Sequence, residues 1–137
     1  KLNKNFMILG RFPLDRMPSF FAHADALLVS LKKDPVFSMT IPAKLQTYLM
    51  TGIPILGMLD GEGSNIIEES NSGLCCPASD HISLATAIKK MSMLPKKDKD
   101  QLGKNGIEYS KKEFDRSVLM DRLENFFISA VNNYNNN

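Results

Sequence analysis

Residues 39–58, MTIPAKLQTYLMTGIPILGM, read as a helix held between two turns and followed by a strand. Pro42 suits the first helical position, because its ring presets φ and its missing N–H would have no partner inside the helix. Thr40, just ahead of it, is placed to act as the N-cap. Leu45, Tyr48 and Leu49 then fall at helical spacing, Gly52 closes the helix, and Pro54 keeps it from continuing. Ile55 and Leu56 make a short apolar run of the kind that forms a buried parallel strand. A helix start carries free amides and the positive end of the helix dipole. With Lys44 beside it, this one is suited to an anion such as phosphate.

Outward from this unit, short apolar runs alternate with helical patterns. Residues 6–9 (FMIL) read as a buried strand leaving through a turn at 10–13, and 14–24 as a short helix limited by Pro18. Residues 26–31 (ALLVSL) form a second strand, apolar enough to be buried on both faces. After the 39–58 unit come a glycine-rich loop at 59–64 and a helix over 65–70 with Ile66 and Ile67. A strand at 73–76 (GLCC) is stopped by Pro77. Asp80 caps a helix showing Leu84, Ala85, Ile88 and Met91 on one face. A lysine-rich turn around Pro95 leads to a helix with Leu102 and Tyr109. The last helix starts near Asp115 and carries Leu119, Leu123, Phe126, Phe127 and Ala130.

This pattern predicts an α/β fold, a Rossmann-like parallel sheet with helices on both faces. One domain over 1–131 is followed by a disordered Asn-rich tail at 132–137. Ligands of such sheets bind at the carboxyl ends of the strands. The turns after Leu9, Leu31 and Met58 therefore point to one crevice.

The 137 residues are 43% hydrophobic and 23% charged, as expected of one globular domain with a core. A net charge of +2 is too small to argue for nucleic acid, and the paired lysines have no aromatic residues between them for base stacking. A weakly basic surface near an anionic membrane stays open. No apolar run approaches the roughly 18–20 residues needed to span a bilayer. Cys75 and Cys76 are adjacent, which suits neither a structural disulfide nor a metal site, so they read as small hydrophobes in a reduced, cytoplasmic compartment. No metal or cofactor is expected. Because the chain opens on Lys1 and a strand follows almost at once, it reads as a piece of something longer.

Four stretches in order are similar to the C-terminal, donor-binding half of family 4 glycosyltransferases of the GT-B fold. They are FMILGRFPLDRMPSFFAHADALLVSL (6–31), IPAKLQTYLMTGIPILGMLDGEG (41–63), NSGLCCPASDHISLATAI (71–88) and LGKNGIEYSKKEFDRSVLMDRLENFF (102–127). More narrowly, they resemble bacterial enzymes that build O-antigen, colanic acid and capsule. The resemblance implies a retaining transfer from a UDP- or GDP-sugar to a lipid-linked or glycan acceptor, held mainly by a further N-terminal domain. It implies that Gly10, Arg11 and Phe12 hold the nucleotide base. Thr40, Ile41 and Lys44 would face the diphosphate and sugar, with Thr47 at the ribose position. At Thr47, and at Met39 eight residues earlier, much of the family has glutamate, and this chain has neither acid. Two further strands, the first bearing an arginine and a lysine that clamp the diphosphate, would precede Lys1. Alone, the chain is then expected to be inactive, and to pair strand 6–9 with strand 26–31 or to self-associate through the gap.

Each candidate has a plainer reading. Lys44 is a phosphate ligand or a solvated helix lysine, and its place at a helix start favours the ligand. Arg11 contacts nucleotide or forms a surface ion pair. Asp60, Gly61, Glu62 and Gly63 line the donor sugar or form a polar turn, the turn being preferred. His23, His81 and Tyr48 read as structural. An alternative from another class is a non-catalytic nucleotide- or partner-binding module, which the missing acids favour slightly. Under the glycosyltransferase reading, peripheral contact with the inner membrane stays open.

Overall fold

A computed structural model describes residues 5–135. Three parallel strands, β1 (Leu27–Ser30), β2 (Ile55–Met58) and β3 (Gly73–Cys76), lie in the order β1-β2-β3. Leu27 pairs with Ile55 and Ile55 with Gly73 across the sheet. Around them run α1 (Met17–Phe21), α2 (Pro35–Ser38), α3 (Ala43–Thr51), α4 (Glu62–Glu69), α5 (His81–Met93), α6 (Lys96–Glu113) and α7 (Arg116–Asn135). This is a Rossmann-like α/β arrangement.

The central strand shows why helices are needed on both faces. Ile55 belongs to a core with Val29, Leu45, Leu49, Leu59, Ile66 and Ile67, supplied by α3 and α4. Its neighbour Leu56 points the other way, into a smaller core with Ala87 and Met91 of α5. Successive side chains of a strand alternate between faces, so an apolar pair on β2 requires two covers. Leu45 and Leu49 are fully buried, and Gly52 ends α3 at φ 73°, in the left-handed region.

Several expectations change, among them the loop expected at 32–38, which holds α2. Residues 6–9 form no strand, and Phe6, Met7, Ile8 and Leu9 are 56–86% exposed. A strand exists only through hydrogen bonds to a neighbour, and these residues do not pair with β1. That leaves β1 an open edge. Leu27 and Leu31 donate to Pro54 and Met58 on the β2 side, so the backbone groups of Leu28 and Ser30 face outward. Leu28, on the α5 side, is 44% exposed.

Another change is at α4, which begins at Glu62 and takes in residues assigned to the glycine-rich loop. The covered face of α5 is Leu84, Ala87 and Met91, while Ala85 and Ile88 are exposed. Helix α7 runs to Asn135, so Asn132, Asn133 and Tyr134 continue the helix where a tail was expected. The remaining tail residues, 136–137, lie outside the described residues. Leu119, Leu123, Phe126 and Phe127 of α7 are exposed.

Candidate functional site

The carboxyl ends of the three strands open into loops that are tied to one another. After β1, the Lys33 amide donates to the Ser79 hydroxyl in the loop after β3, at 3.0 Å. After β2, Asp60 Oδ1 accepts from the Ala78 amide at 3.0 Å. Gly61 sits at φ 70°, and a Cβ there would fall on the carbonyl oxygen of Ser38, at the end of α2. The loops after Leu31 and Met58 therefore converge, as expected. The turn at 10–13 follows no strand and is not part of this junction.

Two helix starts meet at the junction. Pro42, and not Thr40, is the N-cap of α3, and it provides no side-chain cap. The Thr40 hydroxyl instead donates back to the Phe37 carbonyl at 3.2 Å, finishing the turn after α2. Gly61 is the N-cap of α4, again without a side-chain cap. A Cβ on buried Gly63, in the first turn of α4, would stand 3.4 Å from Pro42 Cδ. The uncapped starts of α3 and α4 thus lie side by side. Unsatisfied amides and aligned dipoles at such ends favour an anion.

The candidate residues divide accordingly. Ile41 and Lys44 are exposed beside the start of α3. Glu62 is exposed as the first residue of α4, where a carboxylate is itself stabilised by the dipole. Asp60 is half-buried and acts as a tether between two loops, so the turn reading of the segment is the better one for it. Thr47 donates to the Ala43 carbonyl at 3.3 Å and lines a groove of about 520 Å³ with Pro18, Phe21, Met50 and Ile53. It faces α1 rather than the helix starts. Gly10 is at φ 81° in the open, Arg11 is exposed, and the Phe12 ring packs edge-on against Phe20 at 4.8 Å. None of these three hydrogen-bonds to the helix starts among the described residues.

The structural readings hold for two other groups. Tyr48 packs against the core and against Phe21, and burial raises its phenol above the usual range. His23 Nδ1 lies 2.7 Å from the Ser19 carbonyl oxygen, one turn back. Sequence reasoning missed the contact at Ser38 and missed Ser79 altogether. The glycines of 59–64 signalled a close approach of backbones, but nothing in the sequence pointed to Ser79, which takes φ 64° to meet Lys33.

No helix among the described residues is long and apolar enough to cross a membrane. No protein-family model matches the chain. No solved structure matches it significantly. Among curated proteins, it is 32% identical over 87 residues to the "Probable glycosyltransferase WbjE" of Pseudomonas aeruginosa, a match that takes in 62% of this chain. The matched part spans only 22% of that relative's length. What this chain is similar to, then, is about a fifth of a probable glycosyltransferase.

Proposed function

We propose that this chain is the nucleotide-sugar-binding part of a glycosyltransferase. The observation that carries the reading is the pair of uncapped helix starts at the carboxyl end of the sheet, with Lys44 in the first turn of α3. The similarity to a probable glycosyltransferase supports it.

In this reading the donor is a UDP- or GDP-sugar and the leaving group is a nucleoside diphosphate. Negative charge grows on its β-phosphate as the sugar departs. Amides at the starts of α3 and α4, with the Lys44 ammonium, stabilise that charge from fixed positions, so little reorganisation is needed. The finer reading is a family 4, retaining transfer to a lipid-linked or glycan acceptor in surface-polysaccharide synthesis, on the cytoplasmic side. Thr40, Ile41 and Glu62 then border the donor, and Asp60 and Gly61 hold the loop in place. A binding module without catalysis is the second reading. It is favoured by Met39 and Thr47, which are exposed and carry no carboxylate.

The test is a thermal-shift titration with UDP, GDP and UDP-sugars. A ligand that binds only the folded state at 100 times its Kd stabilises by about 2.7 kcal/mol. One nucleotide is expected to raise Tm, and Lys44→Ala to weaken its binding about tenfold while leaving the unliganded Tm unchanged. Binding that is indifferent to Lys44→Ala would refute the site. Sugar transfer by the 137-residue chain alone would refute the expectation that it needs further domains.

A further inference from the structure

Helix α5 turns two different faces outward and inward. Ala87 and Met91 pack with Leu56 of the sheet, and Leu84 is half-buried on the same side. On the opposite side stand Ile82 and Met93, 71% and 73% exposed, with Lys89 between them on the same line. Ile88 adds a half-exposed side chain on the flank. The outward side of a surface helix is ordinarily polar. Here its two ends are apolar, about 16 Å apart at ~1.5 Å per residue.

The charge around these side chains is one-sided. Residues 81–97, HISLATAIKKMSMLPKK, contain Lys89, Lys90, Lys96 and Lys97 and no acid. All four lysines are exposed, and none lies within 4.0 Å of a carboxylate among the described residues. None of the flanking acids, Asp25, Asp80, Asp98 or Asp100, forms an ion pair with them among the described residues. Asp80 is bound to Ser83 at the helix start, and Asp25 pairs with Lys99. Asp98 follows on α6.

Exposed apolar side chains beside Lys89 and Lys90 on α5, with Lys96 and Lys97 following at the start of α6, suit an interface that is greasy below and anionic above. We propose that α5, with Lys96 and Lys97 at the start of α6, is a docking surface for an anionic lipid bilayer. Ile82, Ile88 and Met93 enter the headgroup boundary, and the four lysines meet lipid phosphates. A nucleic acid would satisfy the lysines alone, since no aromatic residue lies among them to stack on bases. The proposal stands apart from the nucleotide reading. Because α5 follows directly on the loop that binds Asp60, docking would also bring the strand-end crevice close to the membrane.

Co-sedimentation with vesicles of phosphatidylglycerol and phosphatidylcholine, against phosphatidylcholine alone, tests it. The chain is expected on the anionic vesicles only, and raised salt should release it. Either K89Q/K90Q/K96Q/K97Q or I82S/M93S should lower the bound fraction about tenfold, with circular dichroism unchanged because every altered side chain is exposed. Removing equal charge elsewhere on α6, K104Q/K111Q, should cost much less than K96Q/K97Q. No binding to anionic vesicles at low salt would overturn the proposal. So would equal losses from both double lysine variants, or loss that follows Phe126→Ser and Phe127→Ser on α7 instead.

Discussion

Gly61 and Ser38 meet backbone to backbone at the carboxyl end of the sheet. Gly61 is held at φ 70°, and no side chain fits between it and the Ser38 carbonyl. The start of α4 is therefore positioned by the end of α2, with α3 and β2 between them in the chain. Gly61→Ala must both occupy a positive-φ conformation and push the two loops apart. A loss of about 2 kcal/mol or more is expected, the positive-φ backbone conformation alone accounting for about 1–3 kcal/mol. Urea unfolding that places the variant within about 0.5 kcal/mol of the parent would contradict this contact.

Helix α6 comes close to the end of α3 at Gly103. A Cβ there would fall on the carbonyl oxygen of Gly52, where α3 ends. Alanine is the better helix former by about 1 kcal/mol, yet a backbone oxygen cannot yield as a side-chain tip can. Gly103→Ala is expected to destabilise by about 1–3 kcal/mol in spite of its propensity. Gly106→Ala should cost less, because its Cβ would stand 3.2 Å from the Leu49 oxygen. Equal stabilities for the two variants would show that α6 can slide away from α3.

Cys75 should be chemically quiet. Burial first, then the Glu68 carboxylate and neighbouring Cys76, push its thiol up to about 12 from 9.0. A group held in its protonated form by folding contributes stability below its ordinary pKa and loses it as pH rises past that value. The folded chain is thus expected to weaken above about pH 9. Iodoacetamide at neutral pH should label Cys75 only after unfolding, which mass spectrometry would detect. Rapid labelling of the native chain at that residue would rule out the burial argument.

Asp80 provides the opposite sign. The Ser83 amide and hydroxyl donate to its carboxylate at 2.9 and 2.7 Å, which holds it below the usual carboxylate range. Its stabilising effect is present above the ordinary carboxylate pKa and is lost as pH falls through the lowered value. Asp80→Asn keeps an N-cap acceptor and should remove part of the acid sensitivity, while Asp80→Ala should lower Tm at neutral pH. Melting curves at neutral and acid pH distinguish the three chains. An alanine variant as stable as the parent at neutral pH would mean that the cap contributes nothing.

What could be read in the chain itself was local. Gly52 and Pro54 ended α3 where glycine's left-handed conformation and proline's missing N–H require it, and Asp80 capped α5 through its own neighbour Ser83. Ile55 and Leu56 announced a strand buried on both sides, because an apolar run without alternation has no solvent face. The helix start beside Lys44 was legible as well, to within a residue, since a proline turn acts locally.

Tertiary structure decided the rest, wherever the outcome depended on a neighbour. Residues 6–9 have the composition of a strand but no strand pairs with them. Asp60 has the composition of a sugar ligand but spends an oxygen on the Ala78 amide. Thr40 has the composition of a cap but closes the preceding turn. Which side of α5 is covered also turned on where the sheet lies, and this left Ile82 and Met93 outside. The end of α3, the β2 run and the start of α5 were legible in advance because caps, turns and apolar runs act over a few residues. Only the tertiary structure decided pairing, tethering and exposure, because hydrogen bonds and burial belong to the partner as much as to the residue.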